Sequence, residues 1–310
     1  MEELKECNCC GSSDFRRVYS QPDYLFKPDE WFDVCECQNC GIGFVNPRPG
    51  PTEMHEYYPS EFYDPFDVDN TIRYRRQAAF LPKGGRLLDI GCAKGHFPRF
   101  MRERGWEVEG TEPHSKVSYD FPVFNGRIDQ LPVEDSRYDA VTAWAVMEHT
   151  HDPAAYFKTV ARILKPGGKF VFLVTNFRSL SSRALFREDI PRHLFLFTED
   201  SISRYVNDVG LVLTQVLHDK TIYSMRPVNI TYYLISKLFF GRVPEWKDLP
   251  ENRASWLARR GLHNTPLRAI QFFATRPVVL IDRVFSLVYE QWQIATKQYG
   301  IVIYTVTKPF

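Results

Sequence analysis

The stretch "RLLDIGCAKGHFPRF", residues 86–100, constrains the fold more than any other part of the chain. An apolar run ends in Asp89, Gly91 and Gly95 follow, and a helix-like pattern begins. A strand that turns so sharply into a helix is the ligand cradle of an open α/β sheet. Two phosphate-binding readings fail on the residues themselves. A P-loop needs G-x4-G-K-[ST], whereas His96 and Phe97 follow Gly95. A dinucleotide turn reads G-x-G-x-x-G, and the spacing here is G-x-x-x-G behind a carboxylate, a poor neighbour for pyrophosphate.

A carboxylate at that strand tip suits a cationic ligand instead. The next segment, "WEVEGTEPHS", supplies a second strand that ends in Glu112, 23 residues past Asp89, about the spacing of one βαβ unit. An acid at that tip accepts hydrogen bonds from both hydroxyls of a ribose. S-adenosyl-L-methionine carries an ammonium and a sulfonium and no phosphate, so charge matching favours it. Farther on, "YDAVTAW" reads as a buried parallel strand. "DPAAYFKTVARILKPGGKFVFLV" reads as an amphipathic helix closed by Pro166, Gly167 and Gly168, then another buried strand. Asp152 before Pro153 fits a helix N-cap with proline at the first helical position. Alternating strands and helices predict a doubly wound α/β sheet.

Six of the seven cysteines lie in the first 40 residues, and no export signal precedes them. That crowding points to a metal site rather than a disulfide framework. Cys7 with Cys10 and Cys37 with Cys40 form two C-x2-C-G knuckles. Four thiolates in this pattern predict a structural, tetrahedral Zn2+ ribbon, with Cys9 and Cys35 surplus.

The motifs "LLDIGCAKG", "EVEGTEP", "LPVEDSRYDAVTAWAVMEH", "LKPGGKFVF" and "PRHLFLFT" occur in series. In that order they resemble class I S-adenosylmethionine-dependent methyltransferases, nearest to the bacterial group with an N-terminal C-x2-C…C-x2-C-G zinc ribbon and an "NPRP" turn. The resemblance covers roughly residues 7–218 and resumes at the last strand. It implies a seven-stranded Rossmann-like sheet, methyl transfer, and cofactor contacts at Asp89, Gly91, Gly95 and Glu112, with Cys92, Phe97 and Pro113 beside them. It also implies an adenine pocket at Ile128 and Asp129, and Trp144 near the ligand. Ala93 stands where such loops often carry a glycine, so a negative φ is expected there, and Arg127 replaces an acid usual in the group.

The expected organisation is a ribbon (1–48), a connector (49–83), a methyltransferase core (84–218), a helical basic cap inserted at 219–298, and a last core strand (299–310), placed as an edge hairpin partner. Methyl transfer to a hydroxyl benefits from a base. His149 and His193 follow the fourth and fifth strands on the edge where open sheets bind ligands, and are the candidate catalytic residues. Arg192 is read as holding an anionic substrate group or pairing with Asp189, and His151 as a solvated loop residue. Tyr57, Tyr58 and Tyr63 are placed over the acceptor.

Net charge is +1, but residues 220–310 hold 13 Lys+Arg against 5 Asp+Glu while residues 1–219 hold 26 against 33. The basic, aromatic-rich cap suggests a lid, a dimer interface or a peripheral contact with the inner membrane face of a cytoplasmic protein. No apolar run reaches the roughly 20 residues that span a bilayer. Nucleic acid is disfavoured, since no RNA-binding motif accompanies the charge. The resemblance implies O-methylation of a sugar or glycan acceptor in polysaccharide biosynthesis. The alternatives are C- or N-methylation of a natural-product or lipid-linked acceptor, and a non-catalytic S-adenosylmethionine-binding scaffold.

Overall fold

The computed structural model describes residues 1–59, 70–113, 117–223, 228–249 and 277–310. Tyr63 and much of the 219–298 cap lie outside the described residues. The strands are β1 (Phe15–Asp23), β2 (Lys27–Cys37), β3 (Gly43–Val45), β4 (Gly85–Ile90), β5 (Trp106–Thr111), β6 (Val123–Phe124), β7 (Tyr138–Trp144), β8 (Leu164–Thr175), β9 (Phe195–Leu196), β10 (Val212–Leu217) and β11 (Ile301–Thr307). The helices are α1 (Thr71–Ala78), α2 (His96–Arg102), α3 (Pro153–Ile163), α4 (Leu180–Arg183), α5 (Glu199–Asp208), α6 (Ile230–Phe240) and α7 (Ser286–Ala295), the last preceded by a helical stretch at 277–284.

The expected doubly wound sheet is present as seven strands in the order β10-β11-β8-β7-β4-β5-β6. Neighbours from β6 to β8 are parallel, and β11 is antiparallel to both β8 and β10. Central parallel strands are covered on both faces, which is why β4, β7 and β8 read as continuous apolar runs. The last strand differs from expectation. β11 is interior rather than an edge, and burial explains it: Ile301 to Val306 are all buried, whereas β10 exposes Val212, Thr214 and Gln215. The partly polar strand takes the edge.

The helix-to-strand join also differs. Asp152 caps α3 as expected, its side chain accepting from the Ala155 N–H at 3.1 Å. The Pro166–Gly168 segment, however, is a bulge inside β8 rather than a turn before it. Pairing shifts from Tyr138↔Leu164 to Ala140↔Lys169, with Gly167 at φ +76°. A side chain on Gly168 would meet the Lys165 carbonyl at 2.8 Å, so the bulge needs a glycine there.

The N-terminal strands make a second sheet, β1-β2-β3-β9, whose outer strand comes from the far end of the core. Phe44 pairs with Phe195, and the Val45 N–H donates to the Leu194 carbonyl at 3.0 Å. One hydrophobic core runs from Phe32, Val34 and Phe44 through Phe195 and Phe197 to Phe157 and Phe172.

Candidate active site and metal centre

The glycine turn behaves as its residues demand. Gly91 has φ +65°, and a Cβ there would meet Val146 at 2.6 Å. Gly95 has φ +76°, and a Cβ would meet Phe121 at 2.9 Å. Ala93 overturns one expectation, since its φ is +47°, in the left-handed region that costs a residue with a Cβ about 1–2 kcal/mol. The turn requires this conformation because the Ala93 N–H must reach Glu112 Oε2, 2.9 Å away. The Tyr119 hydroxyl donates to the Ala93 carbonyl from the other side.

Register brings the two acids together. Asp89 lies opposite Gly110 on β5 and Thr142 on β7, and Glu112 follows β5 directly. The Thr142 hydroxyl donates to Asp89 Oδ1 at 2.6 Å. Burial pushes the Asp89 carboxyl up to about 7, against the hydroxyl, and the nearby Glu112 charge adds to the rise. Cys92 points its sulfur under β5, where a Cβ on Gly110 would meet it at 2.7 Å. Phe97 is buried edge-on against Trp144. Ile128 is buried, and Asp129 is held by both arms of Arg127, at 2.9 and 2.8 Å. Arg127 therefore neutralises the adjacent acid. Pro113 follows Glu112 at the same strand tip.

At the neighbouring strand end the two histidines meet. The His149 and His193 rings are 4.8 Å apart, edge to face. His149 Nδ1 is 3.0 Å from the Arg192 carbonyl, which accepts from it when Nδ1 carries the ring proton. The Tyr58 oxygen shares that nitrogen at 2.9 Å. His193 Nδ1 donates to Glu188 Oε2 at 2.7 Å. Burial and the facing His193 push His149 down to about 3. For His193 burial works downward too, but the hydrogen bond and charge of Glu188 outweigh it and raise the group.

Sequence reasoning missed three residues here. Glu148 is 1% exposed, and among the described residues neither carboxylate oxygen makes a hydrogen bond of good geometry, the backbone N–H groups of Thr175 and of Glu148 itself being its nearest donors. Burial pushes its carboxyl up to about 7, with the His193 charge opposing. Glu188 holds His193, and Asp23, at the end of β1, joins Asp189 around Arg192. A carboxylate beside His149 in "MEHTHDP" and another five residues before His193 in "REDIPRH" were the available signals; nothing in the chain order pointed to Asp23. Arg192 is fully buried on those two acids, which resolves its alternatives: it pairs and cannot reach a substrate. His151 is not a solvated residue either; its Nε2 lies 3.1 Å from the Pro49 carbonyl. Tyr57 is buried with its hydroxyl on Glu30, so of the described connector tyrosines Tyr58 alone reaches a histidine.

In the ribbon the knuckles are near copies. Gly11 and Gly41 both have φ +71°, and their N–H groups donate to the Cys7 and Cys37 carbonyls at 2.8 and 2.9 Å. The four sulfurs of Cys7, Cys10, Cys37 and Cys40 lie within 4.8 Å of one another, with Cys7–Cys40 at 3.6 Å and Cys10–Cys37 at 3.5 Å. A tetrahedron of thiolates about 2.3 Å from zinc has edges of about 3.8 Å, so the donor set fits that ion. Cys9 and Cys35 turn their sulfurs elsewhere, toward the Ser201 and Asn46 carbonyls.

Residues 67–216 match the family described as Methyltransferase domain. Curated relatives include the ubiquinone biosynthesis O-methyltransferases of Idiomarina loihiensis, 32% identical over 108 residues, and Xanthomonas oryzae pv. oryzae, 34% over 136 residues. These alignments take in 30% and 39% of this chain and 43% and 56% of the relatives' own length. Among solved structures, a Haloferax volcanii complex of the Trm112 methyltransferase activator is 16% identical, with a TM-score of 0.49, covering 83% of this chain and 96% of that one. An S-adenosylmethionine-dependent methyltransferase from Mesorhizobium loti is 17% identical, with a TM-score of 0.44 and coverage of 77% and 99%. The relatives' printed names carry O-methylation in ubiquinone biosynthesis and no sugar or polysaccharide. The similarity to the methyltransferase domain thus spans residues 67–216, just under half of the chain.

Proposed function

We propose that the protein transfers a methyl group from S-adenosylmethionine to a hydroxyl-bearing acceptor. The observation that carries this reading is the pair of carboxylates, Asp89 and Glu112, brought together at one glycine-lined turn. Glu112, fixed by the Ala93 N–H, would hold the ribose, and Asp89 would favour the cationic end of the ligand. S-adenosylmethionine would supply an electrophilic methyl carbon. The chain's own part is to position the acceptor and activate its hydroxyl, the role of His149 and His193 with Tyr58 closing over them. Held geometry alone can supply several kcal/mol of a barrier. Zinc on the four knuckle cysteines is structural in this reading.

Calorimetry with S-adenosylhomocysteine checks the cofactor site. Micromolar binding to the wild type should weaken at least tenfold in Glu112→Ala, about 1.4 kcal/mol. A folded wild type that binds none would move the scaffold reading to first place.

For the acceptor we favour a lipid-linked molecule over a sugar. The relatives' names point toward O-methylation in quinone biosynthesis, and α6 and the 277–295 helices expose large apolar side chains. On α6, Leu238 and Phe239 are 78% and 72% exposed, and Leu280, Val284, Leu287 and Val288 stand out from 277–295. The acids of these helices turn inward, Asp282 onto the Thr231 N–H and hydroxyl and Glu290 onto Lys220, while Lys237 and Arg283 stay outside. Such a face suits an anionic lipid surface. Ile230 and Tyr233 pack it on Leu180 and Leu185, in the segment leading to Glu188. Among the described residues no helix is long and apolar enough to cross a membrane. The protein should float with vesicles containing anionic lipid at low salt, and Leu238→Glu/Phe239→Glu should abolish flotation. Wild-type protein that stays at the bottom of the gradient, or dimers that disperse in the same variant, would exclude the lipid contact.

A further inference from the structure

We propose that Glu148, His149 and His193 form a divalent-cation site at the acceptor end of the active site. One ligand atom from each residue lies within 4.8 Å of the others. Both imidazoles have Nδ1 committed outward, His149 to the Arg192 carbonyl and His193 to the Glu188 carboxylate. With the ring neutral and its proton on Nδ1, Nε2 is the nitrogen left on each histidine to hold an ion. Ligating histidines are usually prepared in this manner, by a carbonyl or carboxylate on the other nitrogen. Glu188 is itself buried, so its hold on His193 is not shared with bulk water.

Glu148 is the independent observation. An almost wholly buried carboxylate that makes no hydrogen bond of good geometry, with only the backbone N–H groups of Thr175 and of Glu148 itself turned to it, is costly, because burial strips its hydration and those contacts return little. A cation held between that carboxylate and two imidazoles would satisfy all three residues. The short helical turn Met147–His149 keeps Glu148 and His149 adjacent, and the Leu194 N–H donates to the Glu148 carbonyl at 2.8 Å, tying the loop after β7 to the one carrying His193. His193 remains 12% exposed, so the cluster is not sealed from solvent.

Two imidazoles and one carboxylate suit a transition ion such as Mn2+, Fe2+ or Zn2+, and three protein ligands leave open positions. An acceptor hydroxyl oxygen taken at one of them would have its pKa lowered, and its proton would pass to water. This deepens the methyl-transfer reading and rests on it for that step alone. The histidines then activate the hydroxyl through the ion. Occupancy of the site does not depend on the reaction.

The test is titration of the zinc-loaded protein with Mn2+, followed by the loss of free Mn2+ signal in electron paramagnetic resonance. The expected result is one additional ion per chain, with binding weakened at least tenfold in Glu148→Gln and in His193→Ala. Glu112→Ala should bind Mn2+ as the wild type does. S-adenosylhomocysteine binding by the Glu148→Gln and His193→Ala variants checks that they are folded. No additional ion on the wild type at millimolar Mn2+, or unchanged affinity in folded Glu148→Gln, would overturn the site. Mn2+ bound normally by a wild type that takes no S-adenosylhomocysteine would sink the methyl-transfer reading and leave the cation site standing.

Discussion

Replacing Arg192 by alanine should destabilise the fold by about 3–5 kcal/mol, the range for removing one partner of a buried ion pair. Its guanidinium is wholly buried. Nε and Nη2 donate to Asp189 Oδ1 at 2.9 and 2.6 Å, Nη1 and Nη2 to Asp23 at 3.1 and 2.8 Å, and Nη1 also to the Tyr57 carbonyl at 3.1 Å. Truncation would leave the fully buried Asp23 and the largely buried Asp189 without their cation. With a urea slope of about 1–3 kcal/mol/M, the midpoint should fall by about 1 M or more. Adding Asp23→Asn to the alanine variant should recover part of the loss, because it removes one of the stranded charges. Arg192→Lys should recover less than full stability, since an ammonium cannot reproduce the fork. An alanine variant with the wild-type urea midpoint would refute this account.

Replacing Cys37 by alanine should take bound zinc from about one ion per chain to near none, while Cys9→Ala should leave it unchanged. The distinction is geometric. Cys37 stands 3.5 Å from Cys10 within the four-sulfur cluster, whereas the Cys9 sulfur faces the Ser201 carbonyl. Structural zinc is worth about 10–16 kcal/mol in isolated finger peptides, where nothing else orders the chain. Here β2 and β3 also share the core with β9, so part of the fold should survive without metal. Limited proteolysis should nonetheless cut the Cys37→Ala variant rapidly within residues 1–48. Metal analysis finding the same zinc in both variants, or far less than one ion in the wild type, would overturn the zinc reading of this cluster.

The features legible in the sequence are those governed by local pattern. β4, β7 and β8 announce themselves as unbroken apolar runs because both sheet faces are covered, and Gly91 and Gly95 mark the turn because no side chain fits there. The Asp89–Glu112 pairing follows from one βαβ unit and so could be counted out along the chain. What escaped depends on contacts between distant segments. Asp23 and Arg192 are 169 residues apart, and neither carries a local sign of the other. Glu148 sits in an ordinary loop motif, and its isolation appears only once the surrounding elements have closed over it. Ala93 misleads for the opposite reason: alanine argues for negative φ, but the hydrogen bond to Glu112 imposes a positive one. The interior place of β11 was partly visible, since its apolar residues outnumber those of β10.

The strand Phe195–Leu196 finally bears on how such a protein can be inherited. It completes the N-terminal sheet, yet the residues just before it carry Arg192 and His193. A recombination joint at residue 48 would separate Phe44 from the backbone it pairs with and Asp23 from its arginine. The structural unit is therefore discontinuous, residues 1–48 together with 188–197, and a ribbon grafted onto another core would keep these contacts only if both stretches moved together.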